Sequence, residues 1–567
     1  MHRLYRSALQ IAETTFHSLL MTSNWDPKSP SYGKLTYESG IHEPGVCFGF
    51  IERATDLYLC EDSRYYKKPI VLDTLRALCI AAHDGLHEDG TNDLIISNYR
   101  QPEFFSTPFL NNAYRMLSAL PNKTEEEHEI TEMIYSLVER AANGLLSSGF
   151  HTPNHRWVHT AALYHSYNTL KHKDERLVTL AQKYLAEKID IDEYGEFSER
   201  SAGMYSAVSD TALCDIAVEA NMPELFDLVK RNLLLVYRFI EKDDLIFTQN
   251  SRRKDKGEVA SSTLFNFDRY VDVCLNAYVH TRDLTFLQIL QNVLDKRTDP
   301  QPVHTLLRFY LLYPELKDIH PDFSLLPPLA EEFHVFYERS NIVREKEHGV
   351  VYSLLAGNPY FLHITCGEIG ISARMCSSFF AKAQFIPDRI ERLAERHYRL
   401  AFHTWADYKL PFDEPPMGSE NYWSMDYKSR KSISRCDYGY TLDVTFTESG
   451  LSMHVVTDGT ERVPFKLEFA VTPGAHVRAG HAMTIATAGS FLSVSGGNVT
   501  LSNYGGDRLT IKGAFAKHFY HKDMRGSLPA PRDQYMIYFT DFSPVDRTVE
   551  IVCKRECRRD YFDSDTD

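Results

Sequence analysis

Apolar residues in this chain recur every three to four positions up to about residue 320; beyond Pro321, Pro327 and Pro328 they alternate every second position. The first period suits one face of a helix and the second suits one face of a strand, so a chain that changes period once folds as a helical region followed by a sheet region. The helical period covers 48–59, 70–82, 130–146, 158–170, 213–220, 225–240 and 270–279, with short joining pieces that carry breakers such as Glu43-Pro44-Gly45, Asp89-Gly90-Thr91-Asn92 and Pro121-Asn122-Lys123. About a dozen helices joined in this way predict stacked helical hairpins that close into an (α/α) toroid. An open solenoid would show a repeat of fixed period, and none is visible.

Alternation at 350–355, 440–447, 451–456, 466–471, 491–494, 509–511 and 534–539, separated by Gly, Asn and Asp turns, predicts an antiparallel β-sandwich. The expected fold class is therefore multidomain, α then β. The toroid is expected over 1–320, a linker over 321–334, the sandwich over 335–557 and a polar tail over 558–567.

With 567 residues, 43% of them hydrophobic and 25% charged, the chain has enough apolar surface for more than one core. A net charge of −15 argues against nucleic acid as a partner, since phosphate binding needs a basic excess, but a local Arg, His and Asn pocket can still take an anion. Leu4, Leu9, Ile11, Phe16 and Leu19 read as an amphipathic helix rather than a secretion signal, and no stretch is apolar enough to span a membrane. If Met1 is the natural start, a cytoplasmic location is expected; otherwise the protein is exported with its leader removed. Ten cysteines are too sparse for a disulfide framework, and Cys79, Cys214 and Cys274 lie in helical apolar patterns as reduced core residues. Cys553 and Cys557 lack the second pair that a zinc site needs.

Two segments carry chemistry. In Thr152-Pro153-Asn154-His155-Arg156-Trp157-Val158, Thr152 is placed to cap a helix that Pro153 opens. Asn154 and His155 then stand on a first turn, where free backbone donors and the helix dipole favour an anion. Taken alone, the same residues equally read as a structural helix start. His155 and His159 are four apart, but no third ligand is in sight, so no metal is expected there. The second segment, Ser198-Glu199-Arg200-Ser201-Ala202-Gly203-Met204-Tyr205, follows the turn signal Asp192-Glu193-Tyr194-Gly195 and leads into a helix over 208–220. Arg200 and Tyr205 are five apart and meet only if 198–203 is a loop held by Glu199. A cation such as Arg200 or His155 beside Tyr205 would lower its phenol from the usual value of about 10 and make it a base. Together the segments suit β-elimination at a uronic acid, in which a carboxylate is neutralised and a weakly acidic alpha proton is removed.

The Asn-His pair on a helix, followed by Asp-x-x-Gly-x-x-x-Glu-Arg-Ser-x-x-x-Tyr, resembles the polysaccharide lyases built from an (α/α) toroid and a β-sandwich, the heparinase II/III-like and alginate-lyase relatives. The resemblance implies that Asn154 and His155 neutralise a substrate carboxylate and that Tyr205 is catalytic base and acid. It further implies that Arg200 supports Tyr205 or the carboxylate, and that Glu199 positions Arg200. Arg156 departs from the small or apolar residue that often follows Asn-His. Such relatives often place a sandwich residue over the cleft; His348, His363 and His403 are the candidates, with Trp405 beside His403 able to stack on a sugar. Some hold a structural divalent metal in the sandwich, for which no ligand cluster stands out here; no cofactor is required.

Asn98 and Arg100, in a polar connection between helices, are candidate sugar ligands or parts of a structural turn. The stretch 374–385 reads mainly as core, with Lys382 and Gln384 as its polar members. The implied partner is an acidic polysaccharide or oligosaccharide, with neither nucleic acid nor membrane; the oligomeric state is open. Two rivals remain. A glycoside hydrolase on a similar toroid would use two of Asp192, Glu193, Glu196 and Glu199 as paired carboxylates; a non-catalytic glycan-binding protein would use Asn154, His155 and Arg156 only to hold an acidic sugar.

Overall fold

The computed structural model describes residues 2–36, 40–94, 99–147, 149–256, 265–297, 307–418 and 420–555. They divide into two compact units: residues up to Asp255 with 265 to Leu329, and Ala330 onward with Lys256. The division after Leu329 falls inside the expected 321–334 linker, and the expected tail lies outside the described residues.

The first unit holds twelve α-helices among the described residues: α1 (His2–Thr22), α2 (Pro44–Leu59), α3 (Pro69–Gly85), α4 (Thr107–Ser118), α5 (Glu125–Ser147), α6 (Pro153–Thr169), α7 (Glu175–Ala186), α8 (Tyr205–Glu219), α9 (Leu225–Phe239), α10 (Val271–Thr281), α11 (Leu284–Asp295) and α12 (Leu307–Leu312). The even-numbered helices pack on one another in succession from α2 to α10, and α12 returns to pack on α1 and α2. Odd-numbered helices pack outside them, α3 and α5 against each other and α7, α9 and α11 against α6, α8 and α10. This is a closed ring of helical hairpins. Sequence explains the difference between layers: outer helices such as α9 carry one apolar stripe, whereas α6 buries residues all round, including the polar His159, Thr160, His165 and Ser166.

Proline opens α2, α3, α4 and α6 in their first turn, where a missing N–H costs nothing. The expected breaker Glu43-Pro44-Gly45 is thus a helix start. The turn before Tyr205 depends on Gly195, whose φ of +93° and close approach to the Arg231 carbonyl (2.4 Å from a would-be Cβ) leave no room for a side chain.

The second unit is two nine-stranded sheets enclosing one core, in which Leu362, Ile371, Phe465 and Phe469 of one sheet meet Leu442, Val455, Leu509 and Ile551 of the other. Among the described residues the strands of this unit pair antiparallel except for Phe491–Ser493, which runs parallel to Tyr535–Phe542, and the isolated bridge Ala516–Thr540 is also parallel. The sandwich is therefore mixed at one edge rather than wholly antiparallel. Of the stretch 374–385, Phe379 and Phe385 are core, Arg374 pairs with the buried Glu468, and Lys382 donates to the Trp405 carbonyl at 3.1 Å. Among the described residues the cysteines are free, and no helix is long and apolar enough to cross a membrane.

Candidate active site

Three segments of the helical unit converge. The first is the start of α6. Thr152 is extended (φ −135°) at the N-cap position but makes no side-chain cap, so the first-turn backbone donors stay uncapped by it. Asn154 and His155 follow, each at least nine-tenths buried. The second segment is the loop before α8, in which Glu199 is buried, Arg200 takes a left-handed conformation (φ +53°) and Tyr205 opens the helix, half-buried. The Tyr205 N–H is accepted by Ser201 Oγ at 3.1 Å. The third is the loop after α9 that carries Ser251, Arg253 and Asp255.

Asn154 Nδ2 donates to Glu199 Oε2 at 2.7 Å. Glu199 Oε1 lies 3.3 Å from Arg253 Nε. The Arg253 guanidinium in turn lies over the Tyr205 ring, 4.4 Å from its centroid. Asp255 ties the loops together, accepting from Gly203 N–H at 3.2 Å and from Ser251 Oγ at 2.5 Å. The His155 ring is walled edge-on by Phe105 (4.9 Å) and by His151 (4.8 Å), with Phe104 at 5.1 Å.

Two buried atoms of this cluster, Asn154 Oδ1 and His155 Nδ1, have no hydrogen-bond partner, and Glu199 Oε1 and Arg253 Nε meet each other only as an ion pair. An unpaired buried polar atom costs about 1–3 kcal/mol, so two on successive residues mark a position where a polar ligand completes the structure. Burial, then the charges of His151, Arg253 and His159, lowers His155 to about 4, which keeps the imidazole neutral near pH 7. Burial raises the Glu199 carboxyl above the ordinary range, against the lowering effect of the Asn154 hydrogen bond and Arg253.

A cavity of about 630 Å³ is lined by neighbours of this cluster, including Phe105, which packs on His155, and Gly203, whose N–H donates to Asp255. Phe105, Val158 and Ala161 form one wall, Val158 and Ala161 standing one and two turns along α6 from Asn154; Gly203, Ala207 and Val208, on either side of Tyr205, belong to another.

No family model and no curated protein sequence matches the chain. Solved structures do match in fold. A Paenibacillus xanthan lyase superposes over 98% of this chain with a TM-score of 0.60 at 8% identity, and the chain spans 57% of that lyase's length. A Streptomyces coelicolor A3 chondroitin AC lyase, solved in complex with chondroitin sulphate, matches over 97% of this chain and 79% of its own (TM-score 0.55, 12% identity). The heparan sulfate lyase HepC from Pedobacter heparinus matches over 89% and 75% (TM-score 0.52, 9% identity). The chain has the polysaccharide-lyase fold.

Within this lyase fold the residues singled out in the sequence are placed unevenly. Asn154, His155, Glu199 and Tyr205 come together. The cation that joins them is Arg253, which the sequence reading missed although the basic run Arg252-Arg253-Lys254 was a signal for it; nothing in sequence spacing tied that run to Tyr205. Glu199, expected to position Arg200, instead meets Asn154 and Arg253. The charges nearest in effect to Arg200 are Glu196, Arg252 and Asp192, after a burial that lowers it.

Arg156 turns to Glu187 (3.0 Å) and Asp190 (3.1 Å) and lies over the Trp157 ring, so its charge is already matched. Arg100 pairs with Asp89 at 3.1 Å in the β1 (Thr91–Leu94) and β2 (Tyr99–Pro102) hairpin, and Asn98 lies outside the described residues. In the sandwich, His403 is 3.6 Å from Asp437, and the exposed Trp405 ring is covered by Arg435 at 4.7 Å. His363 is buried with Nδ1 at 2.8 Å from Ser372 Oγ.

His159 Nε2 is engaged by the Leu145 carbonyl at 2.9 Å. Among the described residues no group of three or more His, Cys, Asp or Glu is arranged to hold a metal ion.

Proposed function

We propose that the protein is a lyase that cleaves a uronic-acid-containing polysaccharide or oligosaccharide by β-elimination. The observation that carries this reading is the run Asn154–Glu199–Arg253–Tyr205 beside the unpaired buried Asn154 Oδ1 and His155 Nδ1. In this reading the Arg253 guanidinium and the neutral His155 imidazole meet a substrate carboxylate, whose charge must be met before the alpha proton becomes acidic enough to remove. Glu199 holds the Asn154 amide by accepting from Nδ2 at 2.7 Å.

Tyr205 is then the base. Its phenolate oxygen takes the alpha proton, the electron pair forms the alpha–beta double bond, and the glycosidic C–O bond at the beta carbon breaks. The phenol returns the proton to the leaving oxygen, so one product carries an unsaturated uronate and the other a new free hydroxyl. No electron is gained or lost overall, and no cofactor enters.

Paired-carboxylate hydrolysis is less well supported. Asp192 Oδ1 is used as a turn acceptor for the Tyr194 and Glu196 N–H groups, Glu196 accepts from Asn250 at 2.7 Å, and Asp255, the other carboxylate of the cluster, is held by Gly203 N–H and Ser251 Oγ. Incubation with a panel of acidic glycans, followed by both ultraviolet absorbance and reducing ends, tests the reading. Absorbance with new ends supports elimination, ends alone mean a hydrolase, and neither leaves only binding.

A further inference from the structure

The two outermost strands of the sheet centred on Asp546–Lys554 are Ile390–Ala394 and Ala482–Ile485, and they are built differently. An outermost strand offers a row of unpaired backbone donors and acceptors, and natural sheets blunt such edges with charge. Ile390–Ala394 follows that rule, with Glu391 and Arg392 exposed on it. Ala482–Ile485 does not. All four of its residues are exposed, it pairs only with His476–Ala479 among the described strands, and no Asp, Glu, Lys or Arg occurs from Ala479 to Gly506.

Apolar surface gathers at the same edge. Met483 is 73% exposed, Ile485 54% and Phe491 47%. Between the sheets, Val477 and Ile485 of one and Leu492 and Tyr535 of the other line a cavity of about 270 Å³ that Met483 and Phe491 also border. Two features make a second copy of the chain the fitting occupant. Molecules with a net charge of −15 repel one another, and a charge-free edge lets two copies meet without like charges face to face. The strand is also complementary to itself. Side chains alternate, so a strand paired antiparallel with its own copy about a twofold axis must set residues of the same face opposite each other. Centred on Thr484, that arrangement puts Met483 of one protomer against Ile485 of its partner, twice.

We propose that Ala482–Ile485 is a self-association surface at which two copies of this chain join edge to edge, antiparallel and centred on Thr484, so that the sheet continues from one protomer into its partner. Each Met483–Ile485 contact removes apolar surface from water, and the backbone groups of the edge gain partners. The contact is isologous, so it closes at two copies instead of growing into a fibre.

Sedimentation velocity on the full chain, from about 1 to 100 μM to cover a small and weak interface, tests this. The wild type is expected to move from the 65.3 kDa of one chain towards twice that mass. The double variant Met483→Lys with Ile485→Lys sets lysine against lysine across the axis and is expected to weaken association at least about tenfold. Both side chains are mostly exposed, so its circular-dichroism melt should match the wild type. Thr484→Cys provides a second, independent variant. Directly opposite residues of an antiparallel pair stand about 4.5–5.5 Å apart at Cα, within the span of a disulfide, so mild oxidation should give a reducible cross-link at twice the chain mass that the wild type lacks. A wild type that stays monomeric at every concentration overturns the proposal, as does a dimer that the two lysines leave intact. Association that the lysines weaken but that gives no Thr484→Cys cross-link overturns the antiparallel register, and mass that keeps growing beyond two copies overturns the twofold closure.

Discussion

The Arg253 guanidinium lies 4.4 Å over the Tyr205 ring while its Nε stands 3.3 Å from Glu199. One cation thus faces the proposed base and the residue that holds Asn154. Replacing it by glutamine removes the charge that meets the developing anion, and kcat/KM on an acidic glycan should fall by about 10²–10³. Arg253→Lys should recover little of this, because a point charge on a flexible stem cannot lie flat on the ring and reach Glu199 at once. Initial rates of ultraviolet absorbance check both, and near-normal activity in Arg253→Gln would remove Arg253 from the site.

Tyr205→Phe deletes only the phenol oxygen. Turnover should drop by about 10²–10⁴, the usual share of general acid–base catalysis, whereas oligosaccharide affinity measured by calorimetry should change by less than about threefold. Full activity in this variant would sink the assignment of Tyr205.

Gly203 is packed so closely that a Cβ would lie 2.7 Å from Thr248 Cγ2 and 3.0 Å from Asp255 Oδ2. Gly203→Ala must therefore push apart the loops that present Tyr205 and Arg253. A loss of about 1–3 kcal/mol in denaturant stability is expected, the usual range for overpacking, with a lower kcat. An unchanged unfolding midpoint would contradict this packing.

The histidines give a pH signature. Burial is the main cause lowering both His155 and His159 to about 4, against about 6.5 in an unfolded chain. Between these values the unfolded state binds the extra protons, so the contribution is intact above about pH 6.5 and is lost as the pH falls towards 4. Calorimetric melting between pH 7.5 and 4.5 should show a shallower acid loss in His155→Asn than in the wild type. Parallel curves would show that His155 is not held neutral.

Asp210 has the opposite sign. It is fully buried, and neither carboxylate oxygen has a hydrogen-bond partner, so burial raises it well above its ordinary value. The folded state keeps a proton that the unfolded state releases above about pH 4, and stability is lost as the pH rises from there towards the folded value. Asp210→Asn, which cannot ionise, should raise the melting temperature more at pH 8 than at pH 5. Equal gains at both would show that Asp210 is paired.

Much of the helical ring was legible because period and punctuation agree. Pro153 marks the start of α6, Gly195 marks the turn before Tyr205, and the apolar spacing of 225–240 matches α9 closely. The reading placed the start of the helix after Gly203 at residue 208, three residues late, because Tyr205 and Ser206 carry no helix signal of their own; the Ser201 hydroxyl that receives the Tyr205 N–H is a tertiary detail of the loop. The parallel strand pair Phe491–Ser493 with Tyr535–Phe542 was likewise invisible, since alternation reports which face a strand buries and not the direction of its neighbour.

By itself the sequence determined the order of the two units, the helix and strand periods within them, and the residue types at the start of α6 and before α8. Those are local properties, set by how side chains repeat along a backbone of known geometry. Only the tertiary structure decided which cation Tyr205 meets. Arg200 is five residues away and Arg253 forty-eight, yet the loop after α9 brings Arg253 over the ring while Arg156, next to His155 in sequence, is turned to Glu187 and Asp190. A charge goes where packing lets it keep a partner, and that is fixed by the closure of the ring rather than by spacing along the chain.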